Sequence, residues 1–269
     1  MISEAMIKTL ARRQGVDPAV IDRDHALGVV LWALQSRGVQ GWIFKGGTCL
    51  RKCHFGDYRF SEDLDFTVTN RLDATRIEDL IRTCAPVTAT QGIRLDAEEM
   101  HVEVMDDEYG RESIEIRVPY RGALRMGSAQ NVQFHLSADE EMAFSPVTRS
   151  LIHPYADAQD IVCQIPAYAL EEVLVEKLRA AGQRRHAVAR DIYDIASVVQ
   201  RGADTRAALS ALPAKAAHKR VDLSGAEVHF RARKAEFEAS WDRTLAYLVV
   251  DGLTFEEAFS LTASLLGEV

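Results

Sequence analysis

Two aspartates, Asp63 and Asp65, stand one residue apart, and their spacing points directly to chemistry. The apolar residues Leu64 and Phe66 alternate with them, which is the period of a half-buried β-strand. Residues i and i+2 share one face of a strand, about 7 Å apart, and two carboxylates this close repel each other unless a cation compensates. Mg²⁺ is commonly held by one or two carboxylates together with substrate phosphates. The spacing therefore predicts a metal site, with a solvated strand face as the alternative.

A glycine pair, Gly46 and Gly47, precedes the aspartates and follows an apolar run that predicts a short strand over residues 41–44. Glycine has no Cβ atom, so a phosphate can approach the backbone N–H groups of such a turn. A helix is predicted to begin near Thr48, with its N-terminus directed at the same anion. A metal and a phosphate together predict a nucleotide ligand.

The overall composition, with 47% apolar and 27% charged residues, is typical of a globular protein. No apolar run reaches the roughly eighteen residues of a membrane span, and the N-terminus lacks the apolar stretch of a signal peptide. We therefore expect a cytoplasmic protein with no membrane partner. Cys49, Cys53 and His54 form a C-x3-C-H spacing, and no second cluster of Cys and His ligands follows in the sequence. Reduced thiols are therefore predicted there rather than a zinc site.

Charge is distributed unevenly along the chain. The net charge is −8, yet residues 177–234 contain 13 Lys and Arg against five Asp and Glu. This asymmetry predicts an acidic body with an attached basic module that binds RNA, while a solvated helical surface is the alternative. The candidate RNA-binding residues are Arg184, Arg185, Lys219, Arg220 and Arg233.

The hydrophobic pattern changes from mixed in the first part of the chain to helical in the second. Helices are predicted over residues 3–38 and 73–83, strands over 63–68 and 131–136, and a β-hairpin over 100–122 with Gly110 in its turn. Residues 145–166 predict loops, and helices follow over 168–181, 190–202, 204–212, 227–250 and 254–266. We therefore predict an α/β (α+β) protein, with a mixed sheet in residues 1–160 and a helical domain in residues 161–269.

Four segments occur in an order that resembles the AbiEii/AbiGii family of MenT-like toxins, within the DNA polymerase β superfamily of nucleotidyltransferases. They are KGGTCLRK, FSEDLDF, EVLVEKLRA and RDIYDI. The resemblance implies a polymerase β-like nucleotidyltransferase core, with the helical C-terminal domain completing the nucleotide site. It also implies template-independent transfer of NMP from an NTP to an acceptor, RNA and especially tRNA, by the toxin of a toxin–antitoxin (abortive infection) system with a cognate antitoxin.

The resemblance also assigns roles to the first two segments. By that similarity Gly46, Gly47 and Thr48 contact the nucleotide phosphates. Asp63 and Asp65 hold Mg²⁺ or Mn²⁺.

Three further residues have two interpretations each. Lys45 is either a nucleotide contact or a solvated lysine at the end of a strand, and Ser61 is either part of the site or a hydrogen-bonding neighbour. Glu115, in an alternating strand, either completes the metal site and acts as general base or belongs to an exposed strand face.

The last two segments place Lys177, Arg190, Asp191 and Asp194 in the nucleotide site by the same resemblance, with Lys177 pairing with the triphosphate. Asp191 would orient Lys177 or the acceptor, and a structural role is the alternative for Asp194. Lys177 and Asp191 would lie about 21 Å apart on one straight helix, so we predict that the chain turns back between them. Gly182 is the predicted position of that turn.

Two other functions remain alternatives. The same catalytic centre permits transfer to a small molecule or to a protein side chain, and a non-catalytic binding protein can keep the fold. The basic segment favours RNA, and the joint presence of the glycine pair, the aspartates and Lys177 favours an enzyme.

Overall fold

The structure is a computed structural model and describes residues 1–106, 112–124, 129–138, 140–245 and 252–269. The chain divides into two compact units. The N-terminal unit comprises Met1–Glu140 and Pro146–Ala167, and the C-terminal unit comprises Glu141–Ser145 and Tyr168–Val269.

The N-terminal unit contains a sheet and four α-helices among the described residues. The helices are α1 (Glu4–Gln14), α2 (Pro18–Ser36), α3 (Gly46–Cys49) and α4 (Ala74–Ala89), and a π-helical turn, Leu50–His54, continues α3. The strands are β1 (Trp42–Lys45), β2 (Asp63–Val68), β3 (Arg94–Leu95), β4 (His101–Asp106), β5 (Glu112–Arg121), β6 (Gln130–Ala138), β7 (Val147–Ser150) and β8 (Gln164–Ala167).

The predicted N-terminal helices and the helix after the aspartate strand are confirmed, and local side chains explain where they begin. The Ser3 hydroxyl accepts a hydrogen bond from the first turn of α1, and the Asp17 carboxylate does the same for α2, which has Pro18 at its first position. Asp73 caps α4 in the same way.

The sheet is mixed, as predicted, with the strand order β3-β5-β6-β2-β1-β8-β7 and β4 paired with β5. β2 runs antiparallel to β1 and parallel to β6, and β5 runs antiparallel to both β4 and β6. The β4–β5 hairpin is thus confirmed, although the turn containing Gly110 lies outside the described residues. Apolar side chains such as Leu64, Phe66, Ile116 and Phe134 are buried on one face, which leaves the alternating polar residues on the other.

The prediction of loops over residues 145–166 was wrong in part, because β7 and β8 form an antiparallel pair there and β8 joins the sheet beside β1. Each of these strands has only four residues, too few for an alternating pattern to show. Pro166, which suggested a loop, lies within β8 opposite Thr148.

The C-terminal unit is helical, as predicted. Its helices are α5 (Leu170–Gln183), α6 (Ala189–Gln200), α7 (Thr205–His218), α8 (Ala226–Ala232), α9 (Lys234–Leu245) and α10 (Phe255–Leu266). None of the helices in the described residues is long and apolar enough to cross a membrane.

The predicted single helix over residues 227–250 was wrong, because α8 and α9 are separated at Arg233, and residues 246–250 lie outside the described part of the chain. The Arg233 guanidinium donates to the carbonyl oxygens of Arg184 and Ala181, which fixes the chain at this break. Phe230 and Phe237, on either side of it, pack ring against ring with their centroids 4.7 Å apart.

Candidate active site

Asp63 and Asp65 lie on β2 with their side chains on the polar face of the sheet. Both are half-buried, whereas Leu64 and Phe66 between and beyond them are buried on the opposite face. The predicted strand with two carboxylates on one face is therefore what the structure shows. Their role as metal ligands stays a prediction.

Asp65 belongs to a row of directly opposed residues that crosses four strands. Lys45 on β1 is opposite Asp65, which is opposite His135 on β6, and His135 is opposite Glu115 on β5. We call Lys45, Asp65, His135 and Glu115 the aspartate row. Residues directly opposed on neighbouring strands share a face, so the row places all four side chains on the polar side of the sheet.

His135 is the member of this row that sequence reasoning missed. Its Nδ1 atom lies 3.1 Å from Asp65 Oδ1, and its Nε2 atom lies 3.9 Å from Glu115 Oε1. The hydrogen bond to Asp65, against the opposing effect of burial, raises the pKa of His135 above its usual value. The signal in the sequence was the polar residue between Phe134 and Leu136 in an alternating strand.

The position of Glu115 differs from that of a third carboxylate adjacent to the aspartates. β6 lies between β5 and β2, so His135 occupies the place next to Asp65 and Glu115 lies one strand further away. The Glu115 side chain is 32% exposed and its Oε2 atom lies 3.6 Å from Arg117 Nη2. A role of Glu115 as general base stays a prediction.

Lys45 is held on the same face by contacts of its own. Its Nζ atom donates a hydrogen bond of 2.7 Å to Ser137 Oγ and lies 3.7 Å from Glu140 Oε1. The side chain is 21% exposed, so it is not the freely solvated lysine of one interpretation.

The glycine pair allows the protein's own charged side chains to approach the turn. Gly46 has a φ of +80°, which disfavours other residues, and a Cβ atom there would lie 2.3 Å from Asp65 Oδ2. A Cβ atom on Gly47 would lie 2.5 Å from Arg59 Nη2 and 3.1 Å from Ser61 Oγ. The turn is therefore packed directly against the aspartate strand, with Ser61 beside it.

Thr48 is the first residue after the pair and is only 1% exposed. Its Oγ1 atom is buried and has no hydrogen-bond partner among the described residues. The predicted contact of Thr48 with the nucleotide phosphates stays a prediction.

A sealed network of charges lies behind the glycine turn, formed by Asp24, Arg51, Lys52 and Tyr155. Asp24 accepts hydrogen bonds of 2.7 Å from Arg51 Nε, 2.7 Å from Lys52 Nζ and 2.5 Å from the Tyr155 hydroxyl. Burial opposes ionisation of Asp24, but the charges of Lys52 and Arg51 outweigh it and hold its pKa below the usual range. The network ties α2 to the π-helical turn that follows the glycines.

A second buried cluster comprises His25, His153 and Asp157, whose ligand atoms all lie within 4.8 Å of one another. Such a set could hold a metal ion. However, His25 Nε2 lies 2.9 Å from one oxygen of Asp157 and His153 Nε2 lies 3.1 Å from the other, so the two rings already share the carboxylate. The Nδ1 atom of each ring is buried without a hydrogen-bond partner among the described residues. We interpret the cluster as structural.

The C-terminal unit brings together the residues of the last two motifs. Lys177 Nζ lies 2.6 Å from Asp191 Oδ1 and 3.0 Å from Asp194 Oδ2, and Arg184 Nη1 lies 2.5 Å from Asp191 Oδ2. We call Lys177, Arg184, Asp191 and Asp194 the Lys177 cluster. Both aspartates are buried, whereas the Lys177 side chain is 19% exposed.

The predicted reversal of the chain between Lys177 and Asp191 is confirmed, because α5 ends at Gln183 and α6 begins at Ala189. The prediction that Gly182 makes the turn was wrong, since Gly182 lies within α5. A Cβ atom there would lie 3.1 Å from Leu223 and 3.2 Å from Ala226, so close packing against these residues favours glycine at this position. Arg190 is half-buried, and in the described residues no hydrogen bond or ion pair joins it to the Lys177 cluster, so its role stays a prediction.

The structure corrects two of the five predicted RNA-binding residues. Lys219 and Arg233 are only 3% and 8% exposed, so they are not available to an RNA backbone. The reason is that long basic side chains can be buried where carbonyl oxygens or carboxylates receive them. Arg184 is paired with Asp191 in the Lys177 cluster but its side chain is 42% exposed, so its role in RNA binding stays a prediction. Arg185 and Arg220 are exposed and stay candidates.

Comparison with known proteins gives an independent view of the chain. Residues 30–261 match the model of the family described as Nucleotidyl transferase AbiEii toxin, Type IV TA system, and this span contains the aspartate row and the Lys177 cluster. The solved structure of MenT4, a nucleotidyltransferase toxin from Mycobacterium tuberculosis, is similar with a TM-score of 0.63 and 18% identity, over 100% of this chain and 91% of that one. Identity this low shows a shared fold alone. No curated protein sequence matches this chain.

Proposed function

Because this chain belongs to the AbiEii family of nucleotidyl transferase toxins, we propose that it transfers NMP from an NTP onto RNA, with tRNA as the first candidate acceptor. The observation that best supports this proposal is the half-buried pair Asp63 and Asp65 on the polar face of the sheet, with Asp65 packed against the glycine turn. The same reaction, which uses NTP and RNA, implies a cytoplasmic location.

The aspartate strand fits a hard divalent cation. Asp63 and Asp65 offer carboxylate oxygens on one face, which are the ligands that Mg²⁺ and Mn²⁺ prefer. When bound there, Mg²⁺ would neutralise phosphate charge and polarise the phosphorus under attack. His135 holds Asp65 through its hydrogen bond, so we propose that it orients this carboxylate.

Lys177 is the proposed partner of the triphosphate. Asp191 and Asp194 hold its ammonium group, which restricts where it points. A fixed cation of this kind stabilises the charge that develops on departing pyrophosphate. Gly46 and Gly47 are proposed to contact the phosphates through their backbone N–H groups.

We propose Glu115 as the group that accepts the proton of the acceptor hydroxyl. It is an ionisable carboxylate that is partly exposed on the polar face, next to His135. Glu115→Gln should therefore slow transfer while NTP binding is kept.

Labelling with each of the four α-³²P NTPs tests this function. The protein, Mg²⁺ and a cell extract containing RNA, protein and small molecules are incubated, and the label in each fraction is measured. We expect label in RNA with one or more NTPs, and none with Asp65→Asn. Label in protein or in small molecules would contradict the RNA acceptor, and no label in any fraction would contradict nucleotidyl transfer.

We also propose that the transfer reaction is toxic and is countered by a cognate antitoxin, as the family implies. Induced expression of the wild-type chain should stop bacterial growth, whereas the Asp65→Asn chain at equal abundance should not. Equal growth arrest by both chains would show that toxicity does not require the aspartates.

A further inference from the structure

The polar face of the sheet changes in charge along its strands. The aspartate row is acidic, since Glu103 on β4 is directly opposed to Glu115 and extends the row beyond Asp65 and His135. The carboxylates of this row favour a bound cation and repel the phosphates of an RNA backbone.

One step further along the strands, β4, β5 and β6 carry basic or neutral side chains on this face, whereas β2 carries Asp63. Arg117 on β5 is directly opposed to His101 on one side and to Gln133 on the other, and Gln133 is opposed to Asp63. The next residue of β6 on this face is Asn131, which is exposed. Guanidinium and amide groups donate hydrogen bonds to phosphate oxygens and to base edges.

Two arginines end this face. Arg94 on β3 is directly opposed to Arg121 on β5, and both are exposed. Among the described residues neither guanidinium has a carboxylate partner. Like charges directly opposed on an antiparallel pair destabilise a sheet, so an anion would relieve this arrangement.

The distances suit an extended ligand. Arg121 is six residues from Glu115 on the same strand, which corresponds to about 20 Å.

We propose that the RNA acceptor binds along this face, with its phosphates on Arg117, Arg121 and Arg94 and its reacting end at the aspartate row. We call these three residues the arginine track. This inference rests on the proposed function, because it assumes that RNA is the acceptor. Arg117 is shared with Glu115, whereas Arg94 and Arg121 have no carboxylate partner among the described residues. The pair Arg94 and Arg121 favours RNA over a protein acceptor, since the planar guanidinium matches phosphate oxygens in pairs.

The test compares three double variants that each remove two positive charges. Arg94→Gln with Arg121→Gln changes two residues of the arginine track, and Arg185→Gln with Arg220→Gln changes two exposed arginines of the C-terminal unit. Arg12→Gln with Arg13→Gln, two exposed residues on α1, is the matched control. Melting temperature shows that each variant folds, and removal of the opposed charges should leave the Arg94 and Arg121 variant at least as stable as wild type.

Affinity for fluorescein-labelled total tRNA is measured by anisotropy at several salt concentrations, without NTP. For the Arg94 and Arg121 variant we expect tRNA binding to weaken on the order of tenfold or more at low salt. The plot of log affinity against log salt should become shallower, with the magnitude of its negative slope reduced by about 1.4 to 1.8, the value for two lost phosphate contacts. The KM for NTP should stay unchanged, and the α1 control should bind tRNA as wild type does.

Three outcomes would overturn the inference. Wild-type affinity of the Arg94 and Arg121 variant, together with RNA labelling by wild type, would remove the arginine track and leave the proposed function standing. A loss confined to the Arg185 and Arg220 variant would place RNA on the C-terminal unit instead. If wild type neither binds nor labels RNA and labels protein, both the inference and the RNA acceptor fail.

Discussion

Two sets of charged residues in this chain use the same groups and differ in how they meet solvent. In the sealed network, Asp24 and Lys52 are each 1% exposed. In the proposed site, Asp65 is 30% exposed and Lys177 is 19% exposed. The carboxylates and ammonium groups are alike, so exposure and the number of partners separate a scaffold from a candidate site.

The partners make the same distinction. Both oxygens of Asp24 are used by protein donors, which leaves no place for a ligand. Asp65 accepts from His135 through one oxygen, while its other oxygen lies against Gly46. The sealed network therefore stabilises the turn that carries the glycines, whereas the aspartate row is partly exposed to solvent. The predictions below test this difference.

The largest expected effect is on catalysis at the aspartate row. Asp65→Asn should abolish transfer of label to RNA, because a neutral amide does not replace a metal-binding carboxylate. The melting temperature should change little, since the repulsion between Asp63 and Asp65 is relieved as the hydrogen bond from His135 is weakened. Wild-type turnover by the folded variant would show that the aspartate row is not the catalytic site.

Lys177→Ala should slow transfer by about 10²–10³, the scale for losing one charge-stabilising group. The measurement is kcat/KM for NTP, with Lys8→Ala on exposed α1 as the control for an ordinary surface lysine. Arg184 still pairs with Asp191 in this variant, and circular dichroism checks that α5 and α6 remain folded. Unchanged kinetics would assign Lys177 to the scaffold.

The sealed network should respond in stability. Asp24→Asn leaves Lys52 and Arg51 buried without their carboxylate, so the free energy of unfolding should fall by about 3–5 kcal/mol. Asp17→Asn is the matched control, because asparagine also caps a helix well and Asp17 is exposed. Urea denaturation measures the free energy of unfolding of the two variants. Equal stability of Asp24→Asn and Asp17→Asn would mean that the ion pairs of Asp24 with Lys52 and Arg51 do not stabilise the fold.

A smaller effect concerns pH. Burial, together with the charges of Lys52 and His25, lowers the pKa of His153 to about 3. The unfolded chain takes up this proton near pH 6.5, so the free energy of unfolding should fall as pH falls from about 6.5 to 4.5, by up to about 1.4 kcal/mol per pH unit. His153→Asn should flatten this slope in urea denaturation at several pH values. The same slope in the variant would assign the effect to other groups.

Local patterns in the sequence predicted the parts of the site that lie close together in the chain. The alternation around Asp63 and Asp65 predicted their shared face, and the length of a helix required the turn between Lys177 and Asp191. These predictions depend on geometry within one element or across one loop.

The parts that were missed depend on pairing between distant segments. His135 lies beside Asp65 because β6 pairs with β2 in parallel, and no local pattern encodes that choice of neighbour. The burial of Lys219 and Arg233 depends on tertiary packing, so a count of charges overestimated the exposed basic surface. The arginine track emerged only from the register of β3 and β5.

Mass spectrometry of total tRNA tests the central claim most directly. Total tRNA is incubated with Mg²⁺ and each NTP in turn, using either wild type or Asp65→Asn, and its intact masses are compared. The account predicts that wild type adds whole NMP residues to tRNA with at least one NTP, and that Asp65→Asn adds none. Unchanged tRNA masses with all four NTPs, from wild-type protein that is folded, would contradict it.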